Sequence, residues 1–237
     1  MRVERINNCT LYLGDCRAIL QSIDLPQDIG CVFDPPYGYG HKSKTGVHAV
    51  CGAAPWQGAE ILNDKDTSVR DWVVNWWASR GPMACFASWK RPLDSKLARA
   101  RLTWCKGPQC GQGDFRLPWK DSCEDIFIIG APWKGRRDES DIRGPAQVTW
   151  ASKGRQHPHQ KPGWLARYLM ERMPVSTIID PCAGSGWSGV EAIKLGRSWI
   201  GCEADQTYFD IALNNLRAAQ RQPGLFEMSP LRASDKD

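Results

Sequence analysis

An α/β fold built on a doubly wound, mostly parallel sheet is what this sequence predicts, on three observations. Strand-like and helix-like segments alternate along most of the 237 residues. Four polar clusters containing Gly or Pro, or ending a strand on an acid, lie where open parallel sheets bind ligands: Gly14-Asp15, Asp34-Pro35-Pro36-Tyr37, residues 180–186 and Glu203. The composition, 42% hydrophobic and 24% charged, suits a chain that buries a full core and excludes disorder as its main character.

Taken in order, residues 10–13 read as a short strand closed by Gly14-Asp15, with a helix at 17–22. Residues 29–33 are a buried strand running into the Asp34–Tyr37 turn. Residues 38–58 hold five glycines, two histidines and two lysines without an apolar period, and are expected as a long loop. Ser68, with Asp71 three residues on, marks a helix start. Val69, Trp72, Val73, Trp76 and Trp77 then share one helical face, which assigns these tryptophans to the core. Residues 83–87 read as strand, 93–100 as helix, and 101–105 and 124–129 as strands.

Residues 131–156 are polar, basic and poor in aliphatics, the pattern of an insertion. Residues 163–173 read as a helix stopped by Pro174, with Trp164, Leu165, Tyr168, Leu169 and Met173 on one side. Segments 177–179, 188–195 and 198–202 make a strand–helix–strand unit. A last helix from Asp205 is expected to turn Tyr208, Ile211, Ala212, Asn215, Leu216 and Ala219 inward. The chain is thus expected as one domain in two halves, 1–130 and 157–221, with 131–156 inserted and 222–237 a frayed tail.

No apolar stretch approaches the ~18 residues of a membrane span, and the first residues lack an apolar signal core. A soluble, cytoplasmic protein of a prokaryotic cell is expected, and a virus-encoded origin fits equally. The ten cysteines include no C-x-x-C pair, and several sit inside strand-like runs, where reduced cysteine acts as a small hydrophobe. Neither Cys105, Cys110 and Cys123 nor His41, His48 and Cys51 has standard zinc spacing, so no metal is expected. The net charge of +5 is uneven. Residues 86–161 hold 15 Lys/Arg against 8 acids, while each flank holds 8 against 9. Trp89, Trp104, Trp119, Trp133 and Trp150 interleave that basic block, as on a nucleic-acid face or a merely solvated surface.

Two motifs carry chemistry. Asp180-Pro181-Cys182-Ala183-Gly184-Ser185-Gly186 follows a strand, opens a helix and extends to Gly189, with Glu203 ending the next strand. Such a glycine turn brings a ligand close to the backbone while the acid takes ribose hydroxyls, which suits a nicotinamide dinucleotide or S-adenosylmethionine alike. Asp34-Pro35-Pro36-Tyr37 separates these two. Its prolines fix a rigid turn presenting one carboxylate, prolyl carbonyls and one aromatic ring. Hydrogen bonds from an exocyclic base amine to Asp34 and the Pro35 carbonyl would aim its lone pair at a methyl donor, and Tyr37 would stack on the flipped base.

At these residues the chain resembles the amino-methyltransferases that modify adenine N6 or cytosine N4 in DNA. Gly14-Asp15 resembles the family's element for the cofactor adenine, and residues 34–37 its catalytic tetrapeptide. His157-Pro158-His159-Gln160-Lys161-Pro162 resembles the segment that contacts the methionine end. Residues 180–186 resemble the cofactor loop, and Glu203 the ribose-binding acid. Catalytic motif first and cofactor loop last is the circularly permuted β-group order. Phe86-Ala87-Ser88-Trp89, residues 104–107 and the acidic cluster 63–66 resemble weaker motifs of the family; the cluster reads equally as a helix cap. Trp187 and Ser188 follow the glycine loop where small or hydroxyl residues are usual, so that the indole of Trp187 departs from the pattern.

The resemblance implies a Rossmann-like methyltransferase fold and transfer from S-adenosylmethionine to adenine N6, in the manner of restriction–modification. Asp34, Pro35, Pro36 and Tyr37 would be catalytic. Asp15, Cys16, Phe33, Asp34, Lys161, Asp180, Pro181, Ala183, Gly184, Ser185, Gly186, Glu203 and Ala204 would line the cofactor. Lys42, Lys44, Arg136, Arg137, Arg143, Lys153 and Arg155 would meet double-stranded DNA whose target base is flipped out. A homodimer is common in the resembling group. Cytosine N4, RNA, protein glutamine and a non-catalytic or NAD-binding role are the rival expectations.

Overall fold

The computed structural model describes residues 1–40, 62–107, 116–145 and 161–221. The predicted loop's residues 41–58, the tail and the second half of the expected insertion lie outside the described residues.

Among the described residues, nine strands form one sheet in the order β1-β2-β9-β8-β3-β4-β6-β5-β7, and five of its eight pairings are parallel. Strands β2 (Cys9–Leu13), β9 (Ser198–Glu203), β8 (Thr177–Asp180), β3 (Ile29–Phe33) and β4 (Met83–Ala87) are its parallel centre. Their side chains alternate between two cores, as the twofold strand period requires. On β4, Ala84 and Phe86 meet α3 (Gly163–Glu171), α4 (Trp187–Lys194) and α5 (Gln206–Arg221). Met83, Cys85 and Ala87 meet α1 (Cys16–Ser22) and α2 (Ser68–Trp77) on the other face. The sheet is therefore covered on both sides, as predicted. Cys9, Cys31, Cys85 and Cys202 are buried free thiols within it, filling space as small hydrophobes do. None of the described helices is long and apolar enough to cross a membrane.

The elements that differ from expectation belong mainly to the sheet's edges. Strand β1 (Arg2–Ile6) pairs antiparallel with β2 and is half exposed, so its three charged residues masked its strand character. Residues 93–100 are not a helix: a short 3₁₀ turn at Ser95–Leu97 leads straight into β5 (Ala98–Cys105). The Lys, Leu, Ala and Arg composition favours helix locally, but pairing with β6 (Cys123–Ile129) overrides it. Within the segment expected as an insertion, β7 (Asp141–Arg143) joins the sheet as its last strand, parallel to β5. Helix α5 buries Phe209 and Leu213, with Ala212, Leu216 and Ala219, while Tyr208, Ile211 and Asn215 stand at its margins. Of the α2 tryptophans, Trp77 is fully buried, whereas Trp72 and Trp76 stack at 5.7 Å on the core's margin.

Candidate active site

The four parallel neighbours β2, β9, β8 and β3 end at one edge, and each is followed by one of the polar clusters noted in the sequence. Leu13 is in register with Glu203, and the Gly14 N–H donates to the Glu203 carbonyl at 2.8 Å. These ends open onto one cleft of about 1120 Å³, its mouth included. Of the expected residues, Asp15, Cys16, Asp34, Pro35, Pro36, Tyr37, Lys161, Pro181, Ala183, Gly184, Ser185, Glu203 and Ala204 line it.

Three do not. The Phe33 side chain is fully buried beneath β3, because alternation along the strand turns it into the core with α1 and α2. Asp180 is fully buried too, accepting from the Cys182 N–H at 3.1 Å and from the Ser188 hydroxyl, so it holds the loop's shape from behind. Gly186 caps α4 at φ 74°, and a Cβ there would meet Ala212 at 3.1 Å; it is a packing glycine. Ser188 also accepts from the Trp199 indole N–H at 3.1 Å. Trp187 lines the cleft edge-on to Phe86 at 6.0 Å. Of the pair after the glycine loop, Ser188 is thus a support for the loop and Trp187 a wall of the cleft.

On the loop side, Glu203 accepts the Gly184 N–H at one oxygen and the Asp205 N–H at the other, each at 2.8 Å. Burial lifts Glu203 to about 7, against those backbone donors, and lifts Asp180 to about 7. Asp15 caps α1 through the Arg17 N–H at 2.8 Å and pairs with the Arg17 guanidinium. The Ser185 hydroxyl is buried without a partner among the described residues. An orphaned donor on a glycine loop beside a half-satisfied carboxylate fits a ligand carrying hydroxyl and polar groups.

On the other side stands a buried charged ring that the sequence only partly announced. Lys161 Nζ lies 2.9 Å from Asp34 Oδ2 and 3.2 Å from Glu124 Oε2. The Tyr37 hydroxyl is 3.2 Å from Asp34 Oδ1 and 3.0 Å from Glu124 Oε2. Lys106 pairs with Glu124 Oε1. Lys161 is only 4% exposed, its ammonium also lying over the rings of Tyr37 and Phe86. Lys161, expected at the cofactor, lines the cleft and pairs with Asp34 and Glu124. Burial raises Asp34 above its ordinary value against the pull of Lys161. Burial would raise Glu124 as well, but Lys161 and Lys106 hold it at about 2. Burial lifts the Tyr37 phenol well above its usual range.

Glu124 was missed as a site residue. It is the second residue of β6, which runs antiparallel to β4, so the start of β6 lies at the edge where β4 ends. The available signal was a pair of acids, Glu124-Asp125, leading into the apolar run 126–129. Asp64, in the acidic cluster, is buried and accepts the Gly38 N–H at 2.7 Å, bracing the turn after Tyr37. Asp66 accepts the Ser68 N–H at the start of α2.

Among the expected DNA contacts, Arg136 and Arg137 are exposed, and Arg143 is exposed but paired with Asp141 at 2.9 Å. Lys42, Lys44, Lys153 and Arg155 lie outside the described residues. Trp89 and Trp119 of the basic block are exposed, whereas Trp104 is core and Trp133 packs against it. Cys105 and Cys123 are cross-strand neighbours, their sulfurs 3.2 Å apart; Cys110, His41, His48 and Cys51 lie outside the described residues. Among the described residues no three His, Cys, Asp or Glu side chains gather as metal ligands.

Residues 86–214, more than half of the chain, match the DNA methylase family of the N6/N4 methyltransferase type. The chain belongs to that family. It is 43% identical over 75 residues to the type II methyltransferase M2.DpnII of Streptococcus pneumoniae, a match covering 29% of this chain and 25% of that protein. It is 40% identical over 73 residues to the type II methyltransferase M2.LlaDCHI of Lactococcus lactis subsp. cremoris, covering 28% and 24%. The chain thus spans about a quarter of the length of these two relatives. The crystal structure of an M1.HpyAVI–SAM complex superimposes with a TM-score of 0.60 over 88% of this chain and 98% of that one, at 19% identity. That likeness establishes this methylase's fold as the Rossmann-like one expected.

Proposed function

We propose that this member of the DNA methylase family transfers a methyl group from S-adenosylmethionine to adenine N6 in DNA. The observation that supports it most is that one cleft is lined both by the Asp34–Tyr37 turn and by the glycine loop with Glu203. S-adenosylmethionine, when bound, supplies an electrophilic methyl group. Glu203 keeps lone pairs on both oxygens for ribose hydroxyls, and the orphaned Ser185 hydroxyl offers a further bond. The Gly14-Asp15 turn would border the adenine end.

The target amine is a poor nucleophile because its lone pair is delocalised into the ring. Asp34 and the Pro35 carbonyl, held on a turn with little freedom, would accept its two N–H groups and turn the lone pair toward the cofactor side. Tyr37 would stack against the base once it leaves the duplex, an extrusion that costs a few kcal/mol for a paired base. Exposed Arg136 and Arg137, in the basic central block, would contact phosphates. An aspartate, rather than serine, at position 34 favours adenine over cytosine.

Nucleoside mass spectrometry on unmethylated DNA incubated with the protein and S-adenosylmethionine tests this. N6-methyladenine is the expected product. N4-methylcytosine would keep the mechanism and correct the base. Modified RNA alone would replace the substrate, and no product in either nucleic acid would overturn the reading.

A further inference from the structure

The ring around Asp34 contains one carboxylate more than the proposed chemistry uses. Glu124 is largely withdrawn from solvent, with 15% of its side chain exposed, and two lysines and a phenol converge on it. Its oxygen Oε2 receives both Tyr37 at 3.0 Å and Lys161 at 3.2 Å, and these same two groups reach the two oxygens of Asp34. Asp34, Tyr37, Glu124 and Lys161 therefore close a four-membered hydrogen-bonded ring. Glu124 is its rigid corner, since it sits on a strand paired to Trp104 and is held from behind by Lys106.

The phenol has a single proton and faces two carboxylate oxygens. Donated to Glu124, it leaves Asp34 Oδ1 open as an acceptor. With the Glu124 charge gone, as in a Gln variant that leaves only a weaker amide acceptor, Asp34 Oδ1 is the one carboxylate oxygen of the described residues left within its reach, 3.2 Å away. We propose that Glu124 is a positioning residue for methyl transfer, drawing the Tyr37 proton onto itself while Lys161 bridges it to Asp34 Oδ2, so that Asp34 presents Oδ1 as an open oxygen to the target amine. This rests on the role given to Asp34 above, and goes beyond it by assigning work to a residue of the same cleft that lies outside the Asp34–Tyr37 turn.

The charges facing Asp34 come from several elements: Lys161 ahead of α3, Glu124 on β6 and Tyr37 on its own turn. Asp180 on β8 and Cys85 on β4 also sense its charge. Glu124 raises the proton affinity of Asp34 and Lys161 lowers it. Neutralising Glu124 therefore makes Asp34 a weaker base, ionised to lower pH.

The test is Glu124→Gln in the full chain, with methyl incorporation into DNA measured across pH and S-adenosylmethionine affinity measured by calorimetry. The expected result is a kcat lower by roughly 10–100-fold, the scale of a small misplacement of a reacting group, with unchanged cofactor affinity. The acid limb of kcat moves to lower pH; a loosened fold would also relieve the burial that raises Asp34, so the unchanged cofactor affinity is the readout that separates the two. Glu124→Asp restores part of kcat. Should Glu124→Gln fail to fold, Lys106→Met, which acts on Glu124 from behind, carries the same expectation in weaker form: a several-fold lower kcat at unchanged cofactor affinity. Wild-type kcat with an unmoved limb in Glu124→Gln, or wild-type kcat in Lys106→Met, overturns the positioning role. The wild-type protein run in parallel separates the two readings, because absence of methyl transfer there refutes the proposed function itself.

Discussion

Replacing Lys161 by Met keeps the length of the side chain and removes one buried charge. The ammonium stands 2.9 Å from Asp34 and 3.2 Å from Glu124, with 5% of its side chain exposed. Without it, two carboxylates face each other across the Tyr37 hydroxyl, with Lys106 left to neutralise Glu124 alone. Removing one partner of a buried pair costs about 3–5 kcal/mol. For a chain of this size that lowers Tm by about 10 °C.

The loss must depend on pH, with a definite sign. Lys161 lowers the proton affinity of Asp34, so in the variant the folded-state pKa of Asp34 rises further above its ordinary 3.8. A carboxyl whose folded pKa is raised binds more protons folded than unfolded, so stability falls as pH rises through that window. Lys161→Met should therefore be most destabilised near pH 8 and recover toward pH 5, by up to about 1.4 kcal/mol for each pH unit inside the window. Thermal unfolding of both proteins followed by circular dichroism at the two pH values measures this. A loss under about 1 kcal/mol at pH 8, well short of the buried-pair cost, or equal losses at both pH values, would refute a buried, charge-balanced ring.

Asp34→Ala should abolish methyl transfer while calorimetric binding of S-adenosylmethionine stays near wild type; normal turnover would sink the assignment of the turn. Burial places Glu203 at about 7. Cofactor affinity should accordingly rise from pH 6 to pH 8 as the carboxylate forms, then level off, and a flat titration would remove Glu203 from the ribose site. Glu203→Gln should weaken binding roughly 10–100-fold, the difference between charged and neutral hydrogen bonds. Ser188→Ala takes a donor from buried Asp180 and an acceptor from Trp199, and should cost about 1–3 kcal/mol in urea unfolding. An unchanged midpoint would show that the loop does not depend on this link.

The central strands and the helices behind them were legible because their signals are local. Runs such as residues 29–33 and 83–87 are apolar on both faces, and only a covered parallel sheet accommodates that. The Asp34–Tyr37 turn and the 180–186 loop were legible for a related reason: prolines and glycines restrict or free the backbone by their own covalent structure. Edge strands carried no such signal. Arg2, Glu4 and Arg5 make β1 look like a polar terminus, and the short β7 has only its pairing to define it.

By itself, then, the sequence determined the fold class, the order of the motifs and the chemistry of each cluster, since all of these reside in short windows. Which clusters meet was decided by tertiary structure. Strand order sets Asp15 beside Glu203, and parallel ends bring the glycine loop and Asp34 to one rim. The antiparallel reversal of β6 delivers Glu124 to that rim from 90 residues beyond Asp34. The same packing removes Lys161, Asp34 and Glu124 from water together. Only there, with few competing solvent dipoles, does a shared proton and an ammonium between two carboxylates become a structure that can hold one oxygen in place.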